Sequence, residues 1–275
     1  MVAVVLLLLA IVTVGLFVLI RSRRPDATVL MYHAVVEDDA SAPEPSIGRT
    51  LFGGQLEFLA TRGYQTVFVK DIVARYEARA TVPSRWVALT FDGGYPGFYT
   101  HVYPVLRRYG LKATLFVIVS DIGAAGGLSW DQLREVKASG LVDIGSHSWD
   151  HVADPCLSPE DARREKAESK SVLETNLGSP IVTYAYPYGA FSERARRLLR
   201  EAGYRGAAGT AYRWGEFEDD DVFNLRRVYV SRSSRFPLMF RFMLSGYYVP
   251  TRSLILRALN IQTPREIGCA RTRGR

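Results

Sequence analysis

The sequence predicts an α/β fold, a mostly parallel sheet or barrel, because short apolar runs alternate along it with segments of helical period. The helical segments also begin and end at capping residues, which separates them cleanly from the strands. Ahead of this pattern stands the uncharged run 2–20, close to the roughly 20 residues that cross a bilayer as a helix. It lacks a positive n-region and a small-residue cleavage site, so it reads as one N-terminal transmembrane helix and not a cleaved leader. Arg21, Arg23 and Arg24 follow at once, and that flank taken alone keeps the main domain cytoplasmic.

Strands are expected at 28–32, 87–91, 114–119, 142–146 and 181–186, each a short run of apolar and β-branched residues. Helices are expected at 54–62 and 69–78 from apolar spacing, and at 98–109, which closes on Gly110. Ser129 leads into a helix over 130–139 that stops at Gly140. Ser158 caps another, with Pro159 first and Glu160 and Asp161 next, running to about Leu177. The charge run of that helix reads as a solvated face. Past residue 235, "FPLMFRFMLSGYYVP" reads as a core-covering helix or, otherwise, as a membrane-interface or sugar-groove segment. With no internal repeat or linker, 25–260 is one domain, preceded by the anchor and basic flank 1–24 and followed by a basic tail, 261–275, expected to be disordered.

At 275 residues, 48% hydrophobic, the chain is long enough for a sizeable core. The net charge of +7 comes partly from the flank and from Arg271, Arg273 and Arg275. Neither basic run interleaves with aromatics, so attraction to anionic lipid is expected and no nucleic-acid partner. The two cysteines, Cys156 and Cys269, show no CxxC spacing, so neither a disulfide framework nor a zinc-thiolate site is expected.

In parallel α/β folds the reactive groups gather where strands end. Asp92 follows the strand 87–91, and His147 and His151 follow the strand 142–146. Imidazoles four residues apart can face one ion, and two neutral imidazoles suit zinc, cobalt or nickel. A carboxylate is the usual third ligand of a hydrolytic site, and Asp92 is the obvious one; equally it could act as general base. Read by itself, a lone acid after a strand is a turn or cap residue. His33, after "TVLMY", is by itself a hydrogen-bonding group at a strand end.

"LTFDGGY", "LSWDQLREVKASGLVDIGSHSWDH" and "YAYPYG", in this order, resemble the polysaccharide deacetylases of the NodB-homology type, carbohydrate esterase family 4, over roughly 27–232. The early "LMYHAV" resembles the poly-N-acetylglucosamine deacetylase branch. The resemblance implies a distorted (β/α) barrel and a metal-dependent hydrolase that removes N-acetyl or related acyl groups from a cell-envelope or exported polysaccharide. It implies Asp92 as catalytic base, His147 and His151 as metal ligands, zinc as the first choice of ion, and His33 as the acid for the departing amine. The backbone N–H of Tyr188, shaped by Pro187 and Gly189, would stabilise the oxyanion. An extracytoplasmic domain and an N-acetylated glycan partner are implied as well.

Two positions depart from the family pattern. Its Asp-Asp pair is here Asp92 and Gly93, so Asp92 turns to the metal, Asp150 or Asp154 substitutes, or the chain is a weakened or inactive glycan-binding relative. Ala185 stands where many members carry an arginine that orients the base; Arg226 or Arg227 could supply one, or could be exposed strand-edge charges. A further alternative is a deacylase of a lipid-linked aminosugar on the cytoplasmic face, as the arginine flank suggests.

Overall fold

A computed structural model of the chain describes residues 27–38, 42, 45–190, 192–210, 221–249, 251–252 and 269. Its strands are, in chain order, β1 Thr28–Tyr32, β2 Val35–Val36, β3 Ile47–Gly48, β4 Gln65–Val67, β5 Trp86–Gly93, β6 Ala113–Val117, β7 Val142–Ser146, β8 Thr183–Ala185, β9 Gly206–Ala208 and β10 Val228–Tyr229. The main sheet runs β10-β1-β5-β6-β7-β8-β9, with β4 beside β5, and each of its pairings is parallel. β1, β6 and β7 are buried along their whole length. That explains why β1 and β6 read as nearly continuous apolar runs and not as alternating ones, both faces of a parallel sheet being covered, while β7 buries Asp143 and Ser146 as well.

The sheet curls until its edges are joined by one short segment. Leu225 bridges to Ala208 at the end of β9, while Val228 three residues on pairs with Leu30 of β1. Arg227, between them, is fully buried. The sheet is thus a curled parallel half-barrel, consistent with the distorted barrel that the resemblance implies, and residues 225–229 link its two edges.

Helices α1 Arg49–Thr61, α2 Val69–Glu77, α3 Tyr103–Tyr109, α4 Trp130–Ala138, α5 Pro159–Leu177, α6 Glu193–Glu201 and α7 Pro237–Leu244 pack outside. Their ends obey the capping signals. Ser129 Oγ accepts from the Gln132 amide at 3.2 Å while the Gln132 side chain accepts from the Ser129 amide at 2.9 Å, a closed capping box. Ser158 Oγ accepts from the Asp161 amide at 3.1 Å. Gly110 and Gly178 end α3 and α5 at φ 64° and 60°, the left-handed region that a side chain would strain.

Several expectations are corrected. The helix expected over 98–109 is a π turn, Phe98–Val102, followed by α3, because Pro104 has no amide to continue the ladder. β4, β9 and α6 were not expected; β9 is Gly-Ala-Ala, without strand propensity, and exists because β8 and Leu225 supply its ladder. The solvated charge run of α5 is only partly so, since Glu165 and Lys166 lie on its buried face. The cysteines, whose spacing indicates no disulfide framework, nevertheless form a disulfide, Cys156–Cys269, with Cα atoms 5.3 Å apart. Spacing could not show it, because the bond depends on spatial approach across 113 residues of separation. The expected transmembrane run 2–20 lies outside the described residues, as does the tail 261–275 apart from Cys269. Among the described residues no helix is long and apolar enough to cross a membrane.

Lys166 has a definite task on its buried face. Its Nζ reaches Asp154 Oδ1 at 2.6 Å, and the same carboxylate accepts from Ser192 Oγ at 2.7 Å and from Arg194 at 3.3 Å. Burial pulls the Lys166 pKa down, against the charge of Asp154, which raises it. Lys166→Met would leave Asp154 without its buried counter-charge, and a loss of about 3–5 kcal/mol is expected in urea unfolding. A cost below about 1 kcal/mol, typical of exposed pairs, would show that the network is not a structural tie.

Candidate active site

Asp92 sits near the C-terminal end of β5, 4% exposed, with its carboxylate gripped by the Arg227 guanidinium. One guanidinium nitrogen lies 2.6 Å from Oδ1 and the other 2.8 Å from Oδ2, a planar fork on a planar acid. Arg227 Nε donates to the Gly209 carbonyl at 2.8 Å and the first nitrogen also donates to Thr90 Oγ1 at 3.2 Å, so four acceptors fix the group. Burial pushes the Asp92 pKa up, but the Arg227 charge, then His147, then the hydrogen bonds from Arg227, and His33, overcome it and hold the carboxyl far below the usual range. Of Arg226 and Arg227, it is Arg227, in the segment just ahead of β10, that reaches the acid.

His147 follows β7 and stands 3.9 Å, Nε2 to Oδ2, from Asp92. Its Nδ1 lies 2.9 Å from the Ala185 carbonyl. A carbonyl can only accept, so Nδ1 carries the proton and Nε2 keeps a lone pair in the neutral ring. Ala185, where the family's arginine was looked for, therefore serves through its backbone. His151 Nε2 lies 3.1 Å from His147 Nε2.

The turn joining the two rings is held open by unusual backbone. Ser148 and His151 have φ of 70° and 57°, and Tyr188, on the neighbouring turn, 58°. Among the described residues only one other non-glycine, Arg79, has positive φ, so three of these four strained positions surround one site. The strain is sustained by hydrogen bonds: Ser148 Oγ accepts from the His151 amide at 2.9 Å, and Glu165 Oε2 accepts from the Trp149 and Asp150 amides at 2.8 and 3.0 Å. Glu165, from α5, was missed in the sequence. Its signal was the buried face Ala162, Glu165, Ser169, Leu173 at helical spacing inside a charged run.

The two Nε2 atoms meet the requirement for two adjacent ligands of one ion, since ligands about 2.0–2.1 Å from a metal at tetrahedral or octahedral angles lie roughly 3 Å apart. A backbone carbonyl on the far nitrogen of His147 is also the usual support of a ligating imidazole. Among the described residues no group of three or more His, Cys, Asp or Glu side chains converges as a metal site. The pair therefore fits an ion at two positions. Of the substitutes considered for the second acid, Asp154 is consumed by Lys166 and Arg194, and Asp150 is exposed.

Gly93 explains why no second acid stands beside Asp92. Its φ is 107°, and a Cβ there would lie 2.5 Å from the Tyr95 ring. Tyr95 thus occupies the space into which a side chain at position 93 would grow. His33, after β1, packs edge-on to Tyr229 with centroids 5.8 Å apart and is close enough to Asp92 to lower its pKa. Tyr188 lies in the turn after β8, its ring centroid 4.6 Å from that of His151, and the turn closes through the Gly189 and Ala190 amides onto the Tyr186 and Pro187 carbonyls. Asp92, His147 and His151 are thus brought together, with His33 and Tyr188 at the edges.

Residues 79–207 match the family model of polysaccharide deacetylase. The chain is similar to the YxkH protein of Bacillus subtilis (strain 168): 29% identical over 213 residues, 77% of this chain and 74% of that one. It is 28% identical over 135 residues to the poly-beta-1,6-N-acetyl-D-glucosamine N-deacetylase of Escherichia coli (strain K12), which is 44% of this chain but only 20% of that relative. The solved structure of IcaB from Ammonifex degensii superposes with a TM-score of 0.68 at 27% identity, covering 79% of this chain and 97% of that one.

Gly93→Asp alone is expected to lower the melting temperature, since positive φ and the Tyr95 overlap together cost about 2–4 kcal/mol. Gly93→Asp with Tyr95→Ala should recover the steric part. If the single variant melts with wild type, Tyr95 does not fill that space.

Proposed function

Because the chain belongs to the polysaccharide deacetylase family, we propose that it hydrolyses N-acetyl or related acyl groups on a cell-envelope or exported glycan, at the Asp92, His147 and His151 site. The observation that carries this reading is the His147–His151 pair, aimed at one point beside an ionised, rigidly held carboxylate. The relatives named for poly-N-acetylglucosamine favour an N-acetylglucosamine polymer as substrate.

An amide needs its carbonyl polarised, water readied and its nitrogen protonated. A divalent ion held by His147 and His151, zinc first, supplies the Lewis acid. Asp92 takes the proton of the attacking water at Oδ2, which keeps a lone-pair site free of Arg227 and faces His147. Its depressed pKa makes it a mild base that is always in the accepting form. Arg227 is a positioning residue that holds that oxygen in place. His33 gives its proton to the departing amine nitrogen, and the Tyr188 amide donates to the oxyanion, worth about 3 kcal/mol.

The domain is proposed to lie outside the cytoplasm, anchored by residues 2–20. The Cys156–Cys269 disulfide supports that side against the arginine flank, since such bonds persist in oxidising compartments. A second reading, a glycan-binding relative without turnover, is favoured by Gly93 and Tyr95, which leave the ion two protein ligands.

Acetate release from N-acetylglucosamine oligomers, with zinc, cobalt or nickel added to the full chain, separates the two readings. Turnover is expected, with Asp92→Asn lower by about 100-fold or more. Arg227→Lys, which keeps the charge but not the fork, should lower kcat/KM about 10- to 100-fold. No acetate with any of the metals would leave binding alone. Since the folded pKa of Asp92 lies below its unfolded value near 3.9, the ion pair's stabilisation is complete above about pH 4 and fades as pH falls further. Loss of kcat/KM between pH 8 and 5 is therefore expected to be the same in an Asp92→Glu variant that retains turnover. A shifted limb would assign it to the carboxylate.

A C-terminal alkaline phosphatase fusion is expected to be active, and the denatured unreduced protein should show no free thiol. An inactive fusion with two free thiols would place the domain in the cytoplasm.

A further inference from the structure

Among the described residues, the exposed large hydrophobic side chains are Phe236, Leu238 and Phe242, at 56%, 77% and 37% exposure. They fall together, on α7 and the residue that enters it. The opposite face of the helix is ordinary core: Phe240, Met243 and Leu244 are buried. Leu238 and Phe242 are one turn apart and so share a face.

That face is also cationic. Arg235 and Arg241 are exposed beside it, Arg235 over the Phe236 ring at 4.9 Å and Arg241 over Phe58 at 5.4 Å. The stretch 222–252 carries six arginines, no lysine and no Asp or Glu at all. Apolar side chains flanked by arginines on a stretch without acid match the headgroup region of an anionic bilayer, where rings and aliphatic tips enter the acyl boundary and guanidinium groups meet phosphate.

Where the chain enters the domain points the same way. The Thr28 hydroxyl, at the start of β1, donates to the Leu244 carbonyl at the end of α7, at 3.5 Å. Six residues, 21–26, separate the run 2–20 from the first described residue, a reach of about 20 Å at full extension. A bilayer crossed by 2–20 therefore comes within reach of α7.

We propose that the Phe236, Leu238 and Phe242 face of α7, with Arg235 and Arg241, docks on the anionic lipid surface, a proposal that rests on the anchoring reading above. α7 runs back alongside β1, from the turn at Ser234 to Thr28. At its near end Gln55 Nε2 donates to Ser234 Oγ at 2.8 Å and Tyr32 donates to Gln55 Oε1 at 3.0 Å, tying the docking helix to the strand that precedes His33. Docking would lay the barrel on its side and turn the site along the membrane, toward a glycan emerging at the surface.

The test is amide hydrogen exchange on the full chain reconstituted in vesicles of phosphatidylglycerol or of phosphatidylcholine, after flotation. Slower exchange over 236–245 is expected in phosphatidylglycerol, abolished by Leu238→Glu, whose exposed position spares the fold. Reversing Arg235 or Arg241 to Glu should each weaken it, by roughly fivefold in occupancy. Equal exchange in both lipids and in Leu238→Glu, on protein that floats, would overturn the docking and leave the anchor standing. Failure to float overturns both. Protection that instead grows with protein density in either lipid would mean that a second copy covers the face, and would overturn the lipid assignment.

Discussion

The bidentate ion pair between Arg227 and Asp92 is the interaction on which the rest of the site depends. It joins the segment that links the two edges of the sheet to the strand that carries the acid. Burying two charges is costly unless both are fully hydrogen-bonded. Here the guanidinium also meets Gly209 and Thr90, which meets that condition. The pair keeps Asp92 ionised in a place where burial alone would neutralise it.

Around that fixed charge the protein spends conformational strain. Ser148, His151 and Tyr188 adopt backbone angles that cost about 1–2 kcal/mol each for residues with a Cβ. Ser148 and His151 are held because Glu165, Ser146 and Ser148 receive the amides of their turn, and Tyr188 because the Gly189 and Ala190 amides close its own. α5 thus reaches the site twice, through Glu165 under the His147–His151 turn and through Lys166 under the loop that carries Asp154 and Cys156. The glycine after Asp92 belongs to the same design: its φ and the Tyr95 ring against it make a small residue a requirement of the local packing.

The disulfide and α7 both concern the chain beyond the barrel. Cys156 lies five residues past His151, so the bond to Cys269 secures a distant part of the chain beside the site. In a chain-entropy account a closure of this length stabilises by about 4–5 kcal/mol. α7 covers the core with one face, as the core-covering reading of the segment after residue 235 expects, and presents apolar and cationic groups with the other.

By itself the sequence determined what short-range rules govern. The strands at 28–32 and 142–146 have the bounds expected, and the caps at Ser129 and Ser158 and the glycine stops at Gly110 and Gly140 work as read, because each depends on residues within a few positions. Asp92 and the His147–His151 spacing were legible for the same reason. Only the tertiary structure decided which arginine meets Asp92, that Glu165 and Lys166 face inward, that Gly-Ala-Ala is a strand, that Tyr95 fills the space beside Gly93, and that Cys156 meets Cys269. Each joins parts of the chain that no local pattern relates, or turns on side-chain direction, and burial or approach in space is set when the sheet closes.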